Sequence, residues 1–251
     1  MAAQLQPPSR LYRVNYGPEP LRLRDWSAAG AVDRLNRRTF GHRWDDPERQ
    51  FRSLYCADSP LAAVIESLQD LLPSPSVIAS LRLLQLEPGD ELPPVGALPE
   101  DLFETSHLCT LQIEPGIAFA DVLNEEIVSN MRVAHAHLAQ TLGMKPITAG
   151  TMLSEDFELT QAIARSLYDA GFAGIYLMSK FGQPHGNWTL FEDPHLSERF
   201  RVSVTLADHP IKLTPDHPDL VEALNRFRLR LDNESLLLRY ERDDVHDIGD
   251  R

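Results

Sequence analysis

The sequence predicts an α+β fold, because strand-like and helical segments are both plain but do not follow one another in the regular βαβ order of a doubly wound sheet. Three stretches carry this reading. "RLYRVNY", residues 10–16, has the β-branched and aromatic character of a strand and is stopped by "GPEP". "SPLAAVIESLQDLLP" is a helix with marked ends, and "SEDFELTQAIARSLYDAGFAGIYLMSK" passes from helix through glycine to strand.

Along the chain, residues 21–52 are rich in arginine and short of long apolar runs, which predicts loops and brief elements. "RSLYCAD", 52–58, reads as a buried strand. Ser59 then occupies a helix N-cap, Pro60 the first helical position, and Pro73 the stop. Leu61, Ile65, Leu68 and Leu72 recur at helical spacing and define the expected core face, with Glu66 off that face beside Ala62 and Ala63. A strand is expected over 76–87, then a Pro-rich loop, a helical stretch over 121–142, and a helix ending at Ala170 with Gly171 as its cap. Strands are expected over 174–179, in "HGNWTLFED" and in "RFRVSVTLA", followed by an amphipathic helix in "DHPDLVEALNRFRLRL" and an acidic tail expected to be mobile.

Charge narrows the function. With 24 basic against 37 acidic side chains and a net charge of -13, a nucleic-acid backbone would be repelled. The cluster Arg34, Arg37 and Arg38 is flanked by Asp33 and Asp45 and reads as solvated surface, so no direct nucleic-acid partner is expected. Cys56 and Cys109 are too few for a disulfide framework, the N-terminus lacks a signal-peptide pattern, and no apolar run reaches spanning length. A soluble cytoplasmic protein without a membrane partner is expected.

Several chemistries find no motif. His135 and His137, at i and i+2 on a helix, point apart and have no third ligand at metal spacing. No phosphate-cradling glycine pattern is present, and Ser179 does not sit in a nucleophile elbow. What stands out is "GHRWDDPERQFRSLYCADSPLAAVIESL", 41–68. Residue by residue, Arg43 reads as a surface cation, Tyr55 as a core aromatic and Glu66 as an exposed helical carboxylate. Their company argues for a site: Arg43 follows Gly41 in a compact turn, and the alanines beside Glu66 leave room for a ligand.

On "RWDDP", "SLYCADS" and "LAAVIESL" the sequence resembles the RES domain family, named for an arginine, a glutamate and a serine. The resemblance assigns Arg43, Tyr55 and Glu66. "GFAGIYLMSK" resembles the family's later strand and points to Ser179, and "LYRV" resembles its first strand, making Arg13 a second arginine for substrate. It implies an ADP-ribosyltransferase-like mixed sheet core with flanking helices, over a domain of residues 1–205 with an insertion around 88–150. Residues 206–251 would then be a C-terminal helical extension and acidic tail, serving as a cap, a homodimer contact or an antitoxin-binding surface.

The family's members are toxins that degrade NAD by hydrolysis or phosphorolysis and are neutralised by an Xre-type antitoxin. NAD would therefore be a substrate, with no cofactor and no metal needed. Glu66 would bind the ribose hydroxyls and stabilise an oxocarbenium-like transition state, Arg43 would hold the pyrophosphate, Tyr55 would stack on nicotinamide, and Ser179 would bind the ligand or orient Glu66. Transfer of ADP-ribose to a macromolecule and a catalytically silent binding module are the rival readings.

Overall fold

The computed structural model describes residues 4–17, 19–23, 41–72, 96–98, 103–153, 157–181, 185–196 and 199–231. The strand expected over 76–87 and the acidic tail lie outside them. Within them the fold is α+β, a large mixed sheet flanked by helices.

The strands are β1 (Gln4–Leu5), β2 (Arg10–Tyr16), β3 (Ser53–Ala57), β4 (Ala97–Leu98), β5 (Ser106–Ile113), β6 (Phe119–Asp121), β7 (Gly174–Met178), β8 (Gly186–Phe191), β9 (Val204–Leu206), β10 (Ile211–Lys212) and β11 (Arg230–Leu231). The helices are α1 (Pro60–Ser67), α2 (Glu125–Ala134), α3 (Ala136–Thr141), α4 (Ala149–Met152), α5 (Phe157–Asp169) and α6 (Pro218–Phe227). The main sheet runs β1-β6-β7-β8-β3-β2-β5-β10, with β9 also paired to β5, and β4 and β11 form a small separate pair.

Among the described residues, only β6 and β7 pair in parallel within the main sheet. A parallel pair needs a crossover, and α2 to α5 supply it. Their apolar sides, including Ile127, Ala139, Met152, Ile163 and Leu167, pack with Ile175, Leu177 and Phe191 of the sheet. On the same face, α1 and α6 cover the other half through Ala62, Ile65, Leu68, Leu220, Ala223 and Leu224, against Tyr12, Val14, Ala57 and Leu108. The opposite face buries Leu11, Leu54, Cys56, Leu111, Trp188 and Leu190. Tyr55, Thr189 and Ile175 are registered in a row on the helix-bearing face, where the two helix groups meet.

Several sequence expectations change. The first helix is shorter than expected, because α1 closes at Ser67 and a 3₁₀ turn, Gln69–Leu71, follows before Pro73. Its core face is Ala62, Ala63, Val64, Ile65 and Leu68, with Leu61 and Leu72 only half-buried. The alanines are themselves buried and let α1 approach its neighbours closely. Residues 106–121, in the stretch expected as an insertion, form β5 and β6, and β5 pairs with β2 along seven residues. Residues 206–231, in the expected extension, supply β10, α6 and β11. The helical stretch over 121–142 is two helices meeting at His135.

Candidate functional site

The turn before β3 is fixed from several sides. Asp45 is buried and accepts from the backbone N–H of His42 at 2.7 Å, the N–H of Ser53 at 2.8 Å and the Ser53 hydroxyl at 2.5 Å. Such a fan of donors suits a buried carboxylate. Gly41 is required here, with φ at +81° and a Cβ that would lie 2.7 Å from Asp45 Oδ2. Gln161 of α5 donates to the His42 carbonyl at 2.9 Å, and Phe51 stacks on Tyr168 with ring centroids 4.1 Å apart. Asp46, fully buried, pairs with Arg165 at 3.3 Å.

This turn carries Arg43 and receives Tyr55. Arg43 Nη1 donates to the Met152 carbonyl at 2.9 Å, and its guanidinium lies 5.5 Å from the Phe157 ring centroid. The Tyr55 hydroxyl accepts the Trp44 N–H at 3.0 Å, and its ring meets His42 edge-on at 5.5 Å. Tyr55 nonetheless keeps 36% of its surface exposed. The hydroxyl is thus anchored in a buried polar pocket while part of the ring faces out. Burial, reinforced by the nearby charge of Asp45, pushes its pKa well above the ordinary phenol value, so the group stays neutral.

Glu66 and Ser179 meet, although 113 positions separate them in the chain. Ser179 Oγ donates to Glu66 Oε1 at 2.5 Å, a short bond of the kind a hydroxyl makes to a carboxylate. Ser179 is 5% exposed and Glu66 half-buried. Ser179 follows β7 in the ladder, its N–H donating to the His185 carbonyl at 2.9 Å, and its Oγ also accepts the Phe181 N–H at 3.1 Å. Alternation along the strand puts Ser179 on the same face as Ile175 and Leu177, the face of Tyr55. Asp58 ties β3 to the start of β8 by accepting the Gly186 N–H at 2.7 Å. By this register Ser179 stands level with Ser59, four positions beyond Tyr55, or about 13 Å along the strands at about 3.3 Å per residue.

Arg13 is placed differently. It sits beside Cys56 and Cys109 with its side chain toward the face opposite Tyr55, since its neighbours Tyr12 and Val14 belong to the helix-bearing face. Its Nη2 donates to Asn15 Oδ1 at 3.2 Å, while Nε and Nη1 are buried without a hydrogen-bond partner. Burial pulls its pKa below the ordinary arginine value. β2 and β3 are registered only at Tyr12↔Ala57, so their ladder stops before Tyr55 and Arg13 stands at the seam. The two thiols beside it are inert: burial pushes Cys56 up to about 12 and raises Cys109 as well.

The structure therefore joins Glu66 to Ser179, joins Arg43 to Tyr55 through the 41–46 turn, and sets both pairs on one face of the sheet. Asp45, Asp58, Gln161 and His185, which hold these groups, were not picked out from the sequence. "RWDDP" carried the only signal, an aspartate two residues after the arginine in a tight turn. His135, considered for a metal, faces Ser166 Oγ at 3.0 Å. No helix among the described residues is long and apolar enough to cross a membrane.

No curated protein matches the sequence. Among solved structures the chain is similar to one from the "Crystal structure of the M.tuberculosis MbcT-MbcA toxin-antitoxin complex", at 17% identity and a TM-score of 0.47, over 90% of this chain and 91% of the other. The family model of the RES domain matches residues 10–216, a span that holds Arg13, Arg43, Tyr55, Glu66 and Ser179, and the chain belongs to the RES domain family.

Proposed function

We propose that this protein degrades NAD by cleaving the bond between nicotinamide and ribose, and that it is the toxin of a pair whose antitoxin is of the Xre type. The observation that carries the reading is the Ser179–Glu66 hydrogen bond, which presents a half-buried carboxylate on the same face as a partly exposed aromatic ring.

In the cleavage step the C1′–N bond breaks and its electron pair neutralises the pyridinium, so nicotinamide leaves uncharged and positive charge develops on the ribose. Glu66 stabilises that charge and accepts from the ribose hydroxyls, while the Ser179 O–H fixes which carboxylate oxygen faces the sugar. The exposed part of Tyr55 stacks on the cationic ring, and its anchored hydroxyl keeps that ring from turning away. Arg43, carried in by a rigid turn, pairs with the pyrophosphate. Arg13, whose side chain lies on the opposite face of the sheet, takes no part in this scheme. NAD is the substrate in this scheme, and no resident cofactor takes part.

The acceptor at C1′ decides the enzyme class. Water attacking there, with loss of a proton, gives ADP-ribose; phosphate gives ADP-ribose 1″-phosphate; a side chain gives a covalent adduct. The test is to incubate the pure protein with NAD, with and without inorganic phosphate, and to separate the products. Free nicotinamide with a stoichiometric soluble ADP-ribose species supports degradation. Radiolabel appearing on protein would mark a transferase instead, and intact NAD would sink the proposal.

A further inference from the structure

The family match ends at residue 216, and α6 begins at Pro218. This helix nevertheless touches both sides of the Glu66–Ser179 pair. Leu220, Ala223 and Leu224 pack in one cluster with Ala62, Ala63 and Ile65 of α1, the helix that carries Glu66. At its other end, Arg226 and Phe227 grip the turn that carries Ser179. Phe227 meets Phe181 edge-on at 5.3 Å, and the Phe181 N–H donates to Ser179 Oγ. Arg226 Nη1 lies 3.1 Å from Nε2 of His185, the residue whose carbonyl accepts the Ser179 N–H.

A guanidinium has only donors, so His185 Nε2 must be the acceptor and the ring must be neutral with its proton on Nδ1. His185 is 6% exposed, and its ring is therefore held in one orientation by a cation from a different part of the chain. Arg226 is itself steadied by Glu222, one turn back, at 2.8 Å. Its side chain is 43% exposed, so the contact lies at the rim of the fold, where it can be removed without opening the core.

We infer that Arg226 is a positioning residue for the proposed reaction: through His185, whose carbonyl accepts the Ser179 N–H, it holds Ser179 in line with Glu66, making α6 a working part of the site. This rests on the NAD-cleaving reading above. The experiment compares the unmodified protein with Arg226→Met, which has no donor, and Arg226→Lys. Steady-state NAD cleavage should show kcat reduced about ten- to a hundredfold in Arg226→Met, because a small misplacement of a reacting group costs on that order, with KM changed less than about threefold. Arg226→Lys keeps a donor for Nε2 and should recover most of the rate, while the melting temperatures of all three stay close together. An unchanged kcat in Arg226→Met, a rise in KM alone, or a lysine variant as impaired as the methionine one would overturn the inference.

A second readout is independent of activity. Ring nitrogen shifts of His185 by NMR at neutral pH should show Nε2 unprotonated in the unmodified protein and a mixture of tautomers in Arg226→Met. A proton on Nε2 in the unmodified protein would refute the contact. Were the unmodified protein to leave NAD intact, the functional reading would fail on that result, and the ring shifts would still decide whether the contact exists.

Discussion

Removing the Ser179 hydroxyl is the most telling single change. In Ser179→Ala the O–H donor 2.5 Å from Glu66 Oε1 is lost, and so is the acceptor of the Phe181 N–H. A hydrogen bond to a charged group is worth about 1.5–3 kcal/mol. If that bond orients the carboxylate for the transition state, its loss slows NAD cleavage about 10- to 150-fold at about 1.4 kcal/mol per decade. Glu66 is half-buried and can turn to water, so the cost in stability should be smaller, about 1 kcal/mol, or a melting shift of roughly 2–4 °C. The assay is the initial rate of nicotinamide release over a range of NAD concentrations, paired with a thermal melt of each preparation. Because Ser179 acts through Glu66, the double variant Ser179→Ala with Glu66→Ala should be no slower than Glu66→Ala alone. A Ser179→Ala protein within about twofold of the unmodified rate would refute the reasoning, as would full additivity in the double variant.

Other outcomes follow from single contacts. Gly174→Ala would bring a Cβ to 2.0 Å from the Thr189 carbonyl and 2.6 Å from the Phe119 ring, so it should cost about 3 kcal/mol and lower the melting temperature by roughly 6–12 °C; an unchanged melt would contradict the β7–β8 packing. Tyr55 has its pKa raised by folding, so the stability it contributes is complete below the unfolded value near 10 and is lost as pH climbs above it. Tyr55→Phe should therefore flatten the alkaline fall in melting temperature, leaving the part due to Tyr168 and Tyr176, whose values are also raised; equal slopes would count against the buried hydroxyl. Cys56 and Cys109 should resist a thiol reagent at pH 8 until the protein is denatured, and rapid labelling of the native form would contradict their burial.

Local signals in the sequence were sufficient where the structure itself is locally determined. Ser59 does accept the Ala62 N–H, Pro60 does open α1, Gly171 does take a positive φ after α5, and β2 spans residues 10–16 as its composition suggests. β5 escaped notice for the opposite reason. "SHLCTLQI" lies after a Pro-rich stretch and intersperses His107, Thr110 and Gln112, and it is a strand because β2, β9 and β10 all pair with it. β6 is three residues long and is fixed by its partners β1 and β7.

The site divides in the same way. Arg43, Tyr55 and Glu66 were visible as a cluster in one stretch, but the meaning of the alanines around Glu66 depended on α6, more than 150 positions away. The partners that orient the cluster are remote in sequence: Met152 for Arg43, Ser179 for Glu66, Gln161 for the turn. No local pattern encodes a hydrogen bond across 109 or 113 residues. Arg13 shows the limit of strand position alone, since alternation sets its side chain on the far face from Tyr55 while the short β2–β3 ladder leaves it at the seam.

The most direct measurement is nicotinamide release from NAD by the unmodified protein beside folded Glu66→Ala, at matched concentration and saturating substrate. Loss of a transition-state electrostatic contact commonly costs a hundredfold or more, so the variant should retain about one per cent of the rate or less while its melt confirms the fold. Equal rates in the two preparations would contradict the assignment of Glu66 as the group that stabilises the cationic ribose.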